Sequence, residues 1–301
     1  MQAITFPNGP ITMAGNLYLP AGFDANGHYA AIVCVHPAGG VKEQTAGLYA
    51  ARLAEQGFVA LAYDAAFQGE SSGEPRHEEN PNQRVNDVSA AIDYLTTLAY
   101  VDNARIGVFG VCAGGGYATH AAVIDTRIKA LGAVSAVNYG QMYRQGWDNT
   151  GNPQDCLALR DMAMAARTAE ANGAPVQYLP AVPDKREDAS HPDFAEAYDY
   201  YRTARAQHCN APSKIPVHNL SQLVTYDAFN NVELFLTQPV QIVAGGNAGT
   251  RWMSEELYHR AASADKDLLI VEGGTHMAMY DQPAMVDAAM RKLGPFYKQH
   301  L

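Results

Sequence analysis

Along this chain, apolar runs of strand length alternate with longer stretches whose apolar residues recur at helical spacing. "YAAIVCVH" (29–36) is apolar at nearly every position, which predicts a strand buried on both faces. The stretch 45–57 predicts the next helix, with Thr45 as N-cap and Gly57 at its stop. "FVALAYD" (58–64) predicts a second strand, "RVNDVSAAIDYLTTLA" (84–99) a helix, and "RIGVFG" (105–110) a third strand. A helix follows Cys112, and "RIKALGAVSAV" (127–137) predicts a further strand. Strands alternating with helices imply a mostly parallel central sheet flanked by helices on both faces.

The rhythm stops near Asn138 and resumes at "PVQIVAGG" (239–246). Between them, "LALRDMAMAARTAEA" (157–171) and "DFAEAYDYYRTARAQH" (193–208) predict helices. The helix "SEELYHRAA", the strand "DLLIVEGG" and a final helix over 282–298 complete the pattern. This organisation predicts an α/β core from residues 1–137 and 236–301, interrupted by a helical cap insertion at 138–235. No internal repeat is present.

Composition narrows the class. With 48% hydrophobic and 17% charged residues, a chain of 301 residues has the material for a large core. A net charge of −10 argues against nucleic acid, whose phosphates need a basic surface. No apolar run approaches the ~18 residues of a membrane span. The N-terminus, "MQAITFPNGP", lacks the basic start and apolar core of a signal peptide. The four cysteines, Cys34, Cys112, Cys156 and Cys209, form no CxxC pair and no metal-ligand spacing. The expectation is a soluble cytoplasmic protein without metal or organic cofactor, acting on a small molecule. A homodimer is the default assembly.

The chemistry centres on "FGVCAGGGYA" (109–118). Gly110-Val111-Cys112-Ala113-Gly114 fits G-x-S-x-G with sulfur for oxygen, between a predicted strand and a predicted helix. Such a turn needs small neighbours, and the helix N-terminus favours a thiolate and a developing oxyanion. Its glycines do not form a phosphate cradle: the P-loop lysine is missing and the dinucleotide spacing does not fit. His276, in "VEGGTHMAMYD", lies on a glycine-bearing turn before the last helix, where the base of such an enzyme belongs. "HPAGGVKEQ" (36–44) is suited to the other half of an oxyanion hole. Pro37 has no N–H, which leaves Ala38 as the donor to pair with Ala113. In "YDAAFQGESSGEPR", Asp64 is expected to order the loop, and Phe67 and Gln68 are candidates for the pocket wall. Tyr139, Tyr143, Trp147 and Tyr178 are candidates either for an acyl pocket or for the cap's own core.

These segments resemble the α/β-hydrolase superfamily, and within it the dienelactone-hydrolase-like branch whose elbow carries cysteine. "HPAGGVKEQTAGLYAARLAEQGFVALAYDAAFQGESSGEPR", "GVCAGGGYA" and "GGTHMAMYD" are similar to bacterial hydrolases related to fungal polyketide transferases. The resemblance implies the α/β-hydrolase fold and a glutamate contacting the resting cysteine, a role for which Glu43 is the candidate. It also implies an acid after "VQIVAGG", yet the position where related sequences often carry Asp is Gly249. Asn247, Glu255, Glu256 and Glu272 are the remaining nearby candidates. A thiol ionises near neutral pH, so a Cys–His pair is expected to tolerate a weak third member. The function expected is hydrolysis of an ester, lactone or thioester through a Cys112 acyl-enzyme with His276 as general base. The alternatives are an acyltransferase moving a chain from a carrier to an alcohol, and a catalytically weak ligand-binding protein.

Overall fold

The structure is a computed structural model and describes all 301 residues. The chain enters through a hairpin, β1 (Gln2–Asn8) and β2 (Ile11–Tyr18). It continues through β3 (Tyr29–Val35), α1 (Thr45–Glu55), β4 (Val59–Tyr63), α2 (Pro81–Thr96), β5 (Val101–Val111), α3 (Ala113–Ile124) and β6 (Ile128–Val134). The next segment holds α4 (Tyr139–Gln145), α5 (Asp155–Ala171), β7 (Tyr178–Pro180), α6 (Pro192–Tyr201), β8 (Lys214–Pro216), α7 (Leu220–Thr225) and α8 (Val232–Phe235). The chain closes with β9 (Val240–Gly245), α9 (Arg251–Arg260), β10 (Lys266–Val271), α10 (Ala278–Asp281) and α11 (Pro283–His300).

Eight strands form one sheet in the order β1-β2-β4-β3-β5-β6-β9-β10. The hairpin is antiparallel to its neighbours, and all the other pairings are parallel. Helices α1 and α11 pack together on one face, while α2, α3, α8 and α9 make successive contacts on the other. This is the α/β-hydrolase architecture. Coverage from both sides explains why β4 and β9 are buried at every position: β4 is apolar throughout, and the one polar side chain of β9, Gln241, donates to the Ile242 carbonyl at 3.1 Å. β10 lies at the sheet edge and is only half-buried, and accordingly begins with Lys266 and Asp267. No helix is long and apolar enough to cross a membrane.

Two local expectations are corrected. Gln44, not Thr45, is the N-cap of α1; Thr45 is the first helical residue, and its hydroxyl donates to the Tyr280 carbonyl at 3.0 Å. The helix read across 193–208 ends at Tyr201. Beyond it, Arg205 turns to the core, donating to both Asp281 oxygens at 2.6 and 2.8 Å and to the Met277 carbonyl at 3.1 Å. That tertiary latch outweighs helical propensity.

The small β7–β8 ribbon and helices α4 to α8 lie outside the main sheet, between β6 and β9. Parallel strands place their following loops at one edge, where α/β ligand sites form. Here the turns after β3, β5, β9 and β10 converge there, beneath residues of the inserted segment.

Candidate active site

Cys112 occupies the turn between β5 and α3 with φ 57° and ψ −129°, a conformation unfavourable for a residue bearing a side chain. Its glycine neighbours make the turn possible. A Cβ on Gly114 would lie 2.3 Å from the Val35 carbonyl oxygen, and one on Gly110 would lie 2.2 Å from the Gly114 oxygen. The Cys112 carbonyl accepts from Gly115 and Val137 N–H groups, both at 2.9 Å, which holds the strained turn against β6 and α3. The Ala113 N–H lies beside the Cys112 sulfur and favours its thiolate.

The loop after β3 brings Ala38 to the same cavity as Cys112, and the Ala38 N–H makes no hydrogen bond within the protein. It is a free donor. A buried polar assembly fixes this loop from behind. Arg84 is 2% exposed; its guanidinium donates to the His36 carbonyl at 2.6 Å and approaches Glu79 at 3.5 Å. Glu79 is fully buried, accepting from Tyr117 at 3.0 Å, Gln68 at 2.6 Å and the Gly39 N–H at 3.4 Å. Burial and the neighbouring Arg84 hold the His36 imidazole well below its usual range, hence neutral. Neutral His36 donates from Nδ1 to the Pro37 carbonyl at 2.7 Å, and its Nε2 accepts from the Ala65 N–H at 3.0 Å.

His276 lies on the turn between β10 and α10 and is fully buried. Its Nδ1 is 2.6 Å from the Thr250 hydroxyl, and its Nε2 is 3.2 Å from the Tyr280 hydroxyl. Tyr280 lines the same cavity as Cys112, and its hydroxyl lies near enough to the thiol to favour the thiolate. No hydrogen bond joins Cys112 to His276, whose Nε2 is turned to the Tyr280 hydroxyl. Tyr280 is held by α1, through Thr45 and through the Tyr49 hydroxyl, which donates to the Met279 carbonyl at 2.7 Å. No carboxylate touches His276, and the group at Nδ1 is a threonine.

Above Cys112 lies a cavity of about 230 Å³. Tyr139, Met142, Tyr143, Trp147 and Tyr201 from the inserted segment form much of its wall, and no charged side chain lines it. Of the aromatic candidates, Tyr139, Tyr143 and Trp147 thus face the cavity. Tyr178 does not: it lies under Lys214, whose amine is 4.3 Å from the ring centroid. Phe67 and Gln68 are also absent from the wall. Phe67 packs on Gly73, and Gln68 is turned to Glu79 beneath the oxyanion loop. The expectation for Glu43 is corrected as well. Its carboxylate pairs with Lys42 at 2.7 Å, because the buried Lys42 ammonium gathers Glu43, Asp64 and Glu70 around itself. The carboxylate that raises the Cys112 thiol is the buried Glu79, which makes no hydrogen bond to it. Asp64 orders its loop as expected, accepting from the Lys42 and Glu70 N–H groups, both at 2.8 Å.

Tyr280 and Glu79 escaped the sequence reading. Tyr280 had a usable signal, since it follows His276 by four residues, one helical turn. Glu79 had none, because it precedes a helix start where a solvated acid is the ordinary case.

Burial pushes the Cys112 thiol up to about 11, a shift that the Tyr280 hydroxyl and the Ala113 N–H oppose and Glu79 reinforces. Burial likewise brings the His276 imidazole down to about 4, against the opposing pull of Asp193. At neutral pH the resting pair is therefore thiol and neutral imidazole. The idea that the thiol ionises unaided is corrected, since a buried thiolate lacks solvation. Iodoacetamide alkylation of Cys112, followed by peptide mapping, is expected to accelerate continuously from about pH 7 to about pH 10. A plateau reached below about pH 8 would reveal a preformed thiolate instead.

Residues 13–156 match the Dienelactone hydrolase family. The uncharacterized protein YcjY of Escherichia coli (strain K12) is 50% identical over 300 residues, 99% of this chain and 98% of that protein. A crystal structure of PA2218 from Pseudomonas aeruginosa superposes with a TM-score of 0.91 at 29% identity, covering 100% of this chain and 93% of that one. Polyketide transferase grgF from Penicillium sp is 26% identical over 190 residues, 63% of this chain and 60% of that protein.

Proposed function

Because this chain belongs to the dienelactone hydrolase family of α/β hydrolases, an enzyme family of ester and thioester bonds, we propose that it cleaves its substrate through an acyl-enzyme on Cys112. The observation that carries this reading is the strained Cys112 turn in the wall of an apolar cavity that Tyr280 also lines, with the Tyr280 hydroxyl 3.2 Å from Nε2 of the buried His276.

The thiol must lose its proton as it attacks, since it is neutral at rest. Tyr280 accepts that proton while giving its own to His276 Nε2, so the thiolate forms only as the sulfur–carbon bond does. This requires the tautomer in which Nδ1–H donates to Thr250, leaving the Nε2 lone pair toward Tyr280. The carbonyl oxygen gathers negative charge between the Ala38 and Ala113 N–H groups. Collapse expels the alcohol or thiol, which takes the proton back from His276. A water then attacks the acyl carbonyl while giving a proton to the same imidazole. Cleavage of the carbon–sulfur bond frees the acid as that proton returns to the Cys112 sulfur through Tyr280.

Residues 138–235 act as a cap that selects the acyl group. A wall of aromatic, aliphatic and methionine side chains offers no counter-ion, so a charged acyl group would enter without a partner. The substrate is thus a small molecule with a neutral, apolar acyl part. Among p-nitrophenyl esters, butyrate is expected to exceed the hemisuccinate, which carries a free carboxylate, by at least about tenfold in kcat/KM. Equal turnover of both would overturn this assignment.

Transfer of the acyl chain to an alcohol is a second reading, favoured by the likeness to polyketide transferase grgF. Product analysis with a thioester donor and short alcohols separates the two: free acid marks the hydrolase, a new ester the transferase.

A further inference from the structure

The loop after β9 lacks an acid, and the cap fills the vacancy. Gly249 has no side chain, and a Cβ there would lie 2.6 and 2.8 Å from Cδ1 and Nε1 of Trp147, a residue of the inserted segment. The Trp147 ring packs on His276 with centroids 4.7 Å apart. Its Nε1–H donates to Asp193 Oδ2 at 2.6 Å, and the Gly249 N–H donates to the same oxygen at 2.8 Å. Asp193 is 3% exposed and sits in the first turn of α6, so its carboxylate is held from the cap side against the residue preceding Thr250. Thr250 orients His276, but a hydroxyl carries no charge with which to balance an imidazolium.

We propose that Asp193, carried by the cap, is the counter-ion of His276, so that the general base is competent only while the cap is seated on the core. The proposal rests on His276 being the base. Asp193 acts through His276, as a positioning residue that neither touches substrate nor takes up a proton. When the Cys112 proton reaches Nε2 through Tyr280, the ring becomes cationic beside the Asp193 carboxylate. The carboxylate's effect on His276 has the required sign, favouring the protonated ring against the penalty of burial.

The latch described above supports the coupling. Arg205 grips Asp281 and the Met277 carbonyl, and Glu196 accepts from the Thr275 hydroxyl. Both cap residues thereby hold the turn that carries His276. The groups facing the ring are Thr250 from the loop after β9, Tyr280 from α10 and Trp147 from the cap. Cys112 lines the same cavity as Tyr280, and His191 approaches Asp193 at 3.8 Å.

The test is Asp193→Asn in the full chain, which retains an acceptor for Trp147 and Gly249 but removes the charge. With p-nitrophenyl butyrate, kcat at neutral pH is expected to fall about ten- to a hundredfold, with KM changed by less than about threefold. The acidic limb of the kcat/KM profile should move to lower pH by about one unit, because an imidazolium without its counter-ion forms less readily. An unchanged kcat with an unmoved limb would overturn the proposal. So would a loss confined to KM or to thermal stability, since Asp193 would then only seat the cap. Cys112→Ala, assayed alongside, separates the two ideas. If that variant still turns over, the acyl-enzyme reading fails; if it is inactive while Asp193→Asn behaves as the parent, only the counter-ion fails.

Discussion

Replacing Cys112 by alanine is expected to lower kcat for any acyl substrate by at least about ten-thousandfold, with the fold intact. The size follows from the chemistry. In the proposed mechanism the sulfur is the atom that bonds to the substrate, so the substitution removes the reacting atom itself. Tyr280 lines the cavity beside it, and the backbone is strained to present it there. Without the sulfur, His276 and the two N–H donors can still polarise a bound carbonyl, which leaves a small residual rate. Stability should change little, because alanine occupies less space at a site already open to the cavity. The checks are steady-state kinetics and a thermal melt. A variant within about tenfold of the parent would mean that the nucleophile is a water or another residue.

The second large effect concerns stability. Arg84→Ala leaves the Glu79 carboxylate buried without its cation, and removing one partner of a buried pair costs about 3–5 kcal/mol. Arg84 also donates to the His36 carbonyl at 2.6 Å, and its guanidinium lies 4.9 Å from the Tyr117 ring centroid. Both contacts are lost with it. Since His36 and Gly39 flank the Ala38 donor, the survivors should also bind the developing oxyanion less well. The double variant Arg84→Met, Glu79→Gln removes both charges and is expected to recover most of the lost stability. Urea unfolding of the three proteins measures this. A single variant within about 1 kcal/mol of the parent would show that Arg84 contributes no such support.

The readable parts of the sequence were those in which local pattern and tertiary role agree. β3 and β4 are continuous apolar runs because both of their faces are covered, and the Cys112 turn advertises itself because only small residues fit at Gly110 and Gly114. The N-terminal hairpin was not anticipated: β1 is largely exposed and mixed in composition, so it lacks a clear apolar alternation. The charged residues were the least legible. Glu43 and Glu79 are chemically equivalent in a sequence, and only the fold sends one to Lys42 and buries the other beside Arg84. The missing acid was visible as Gly249, whereas Asp193 was not, because it lies on another element 56 residues away. Its recruitment depends on how the cap sits on the core, which no local spacing encodes.

The most direct measurement is intact-mass spectrometry of the enzyme quenched in acid during turnover of a slow apolar thioester, followed by peptide mapping. The expected result is a single acyl increment on the peptide containing Cys112, absent from Cys112→Ala. Turnover without any adduct on that peptide, or an adduct carried by another residue, would contradict the acyl-enzyme on Cys112.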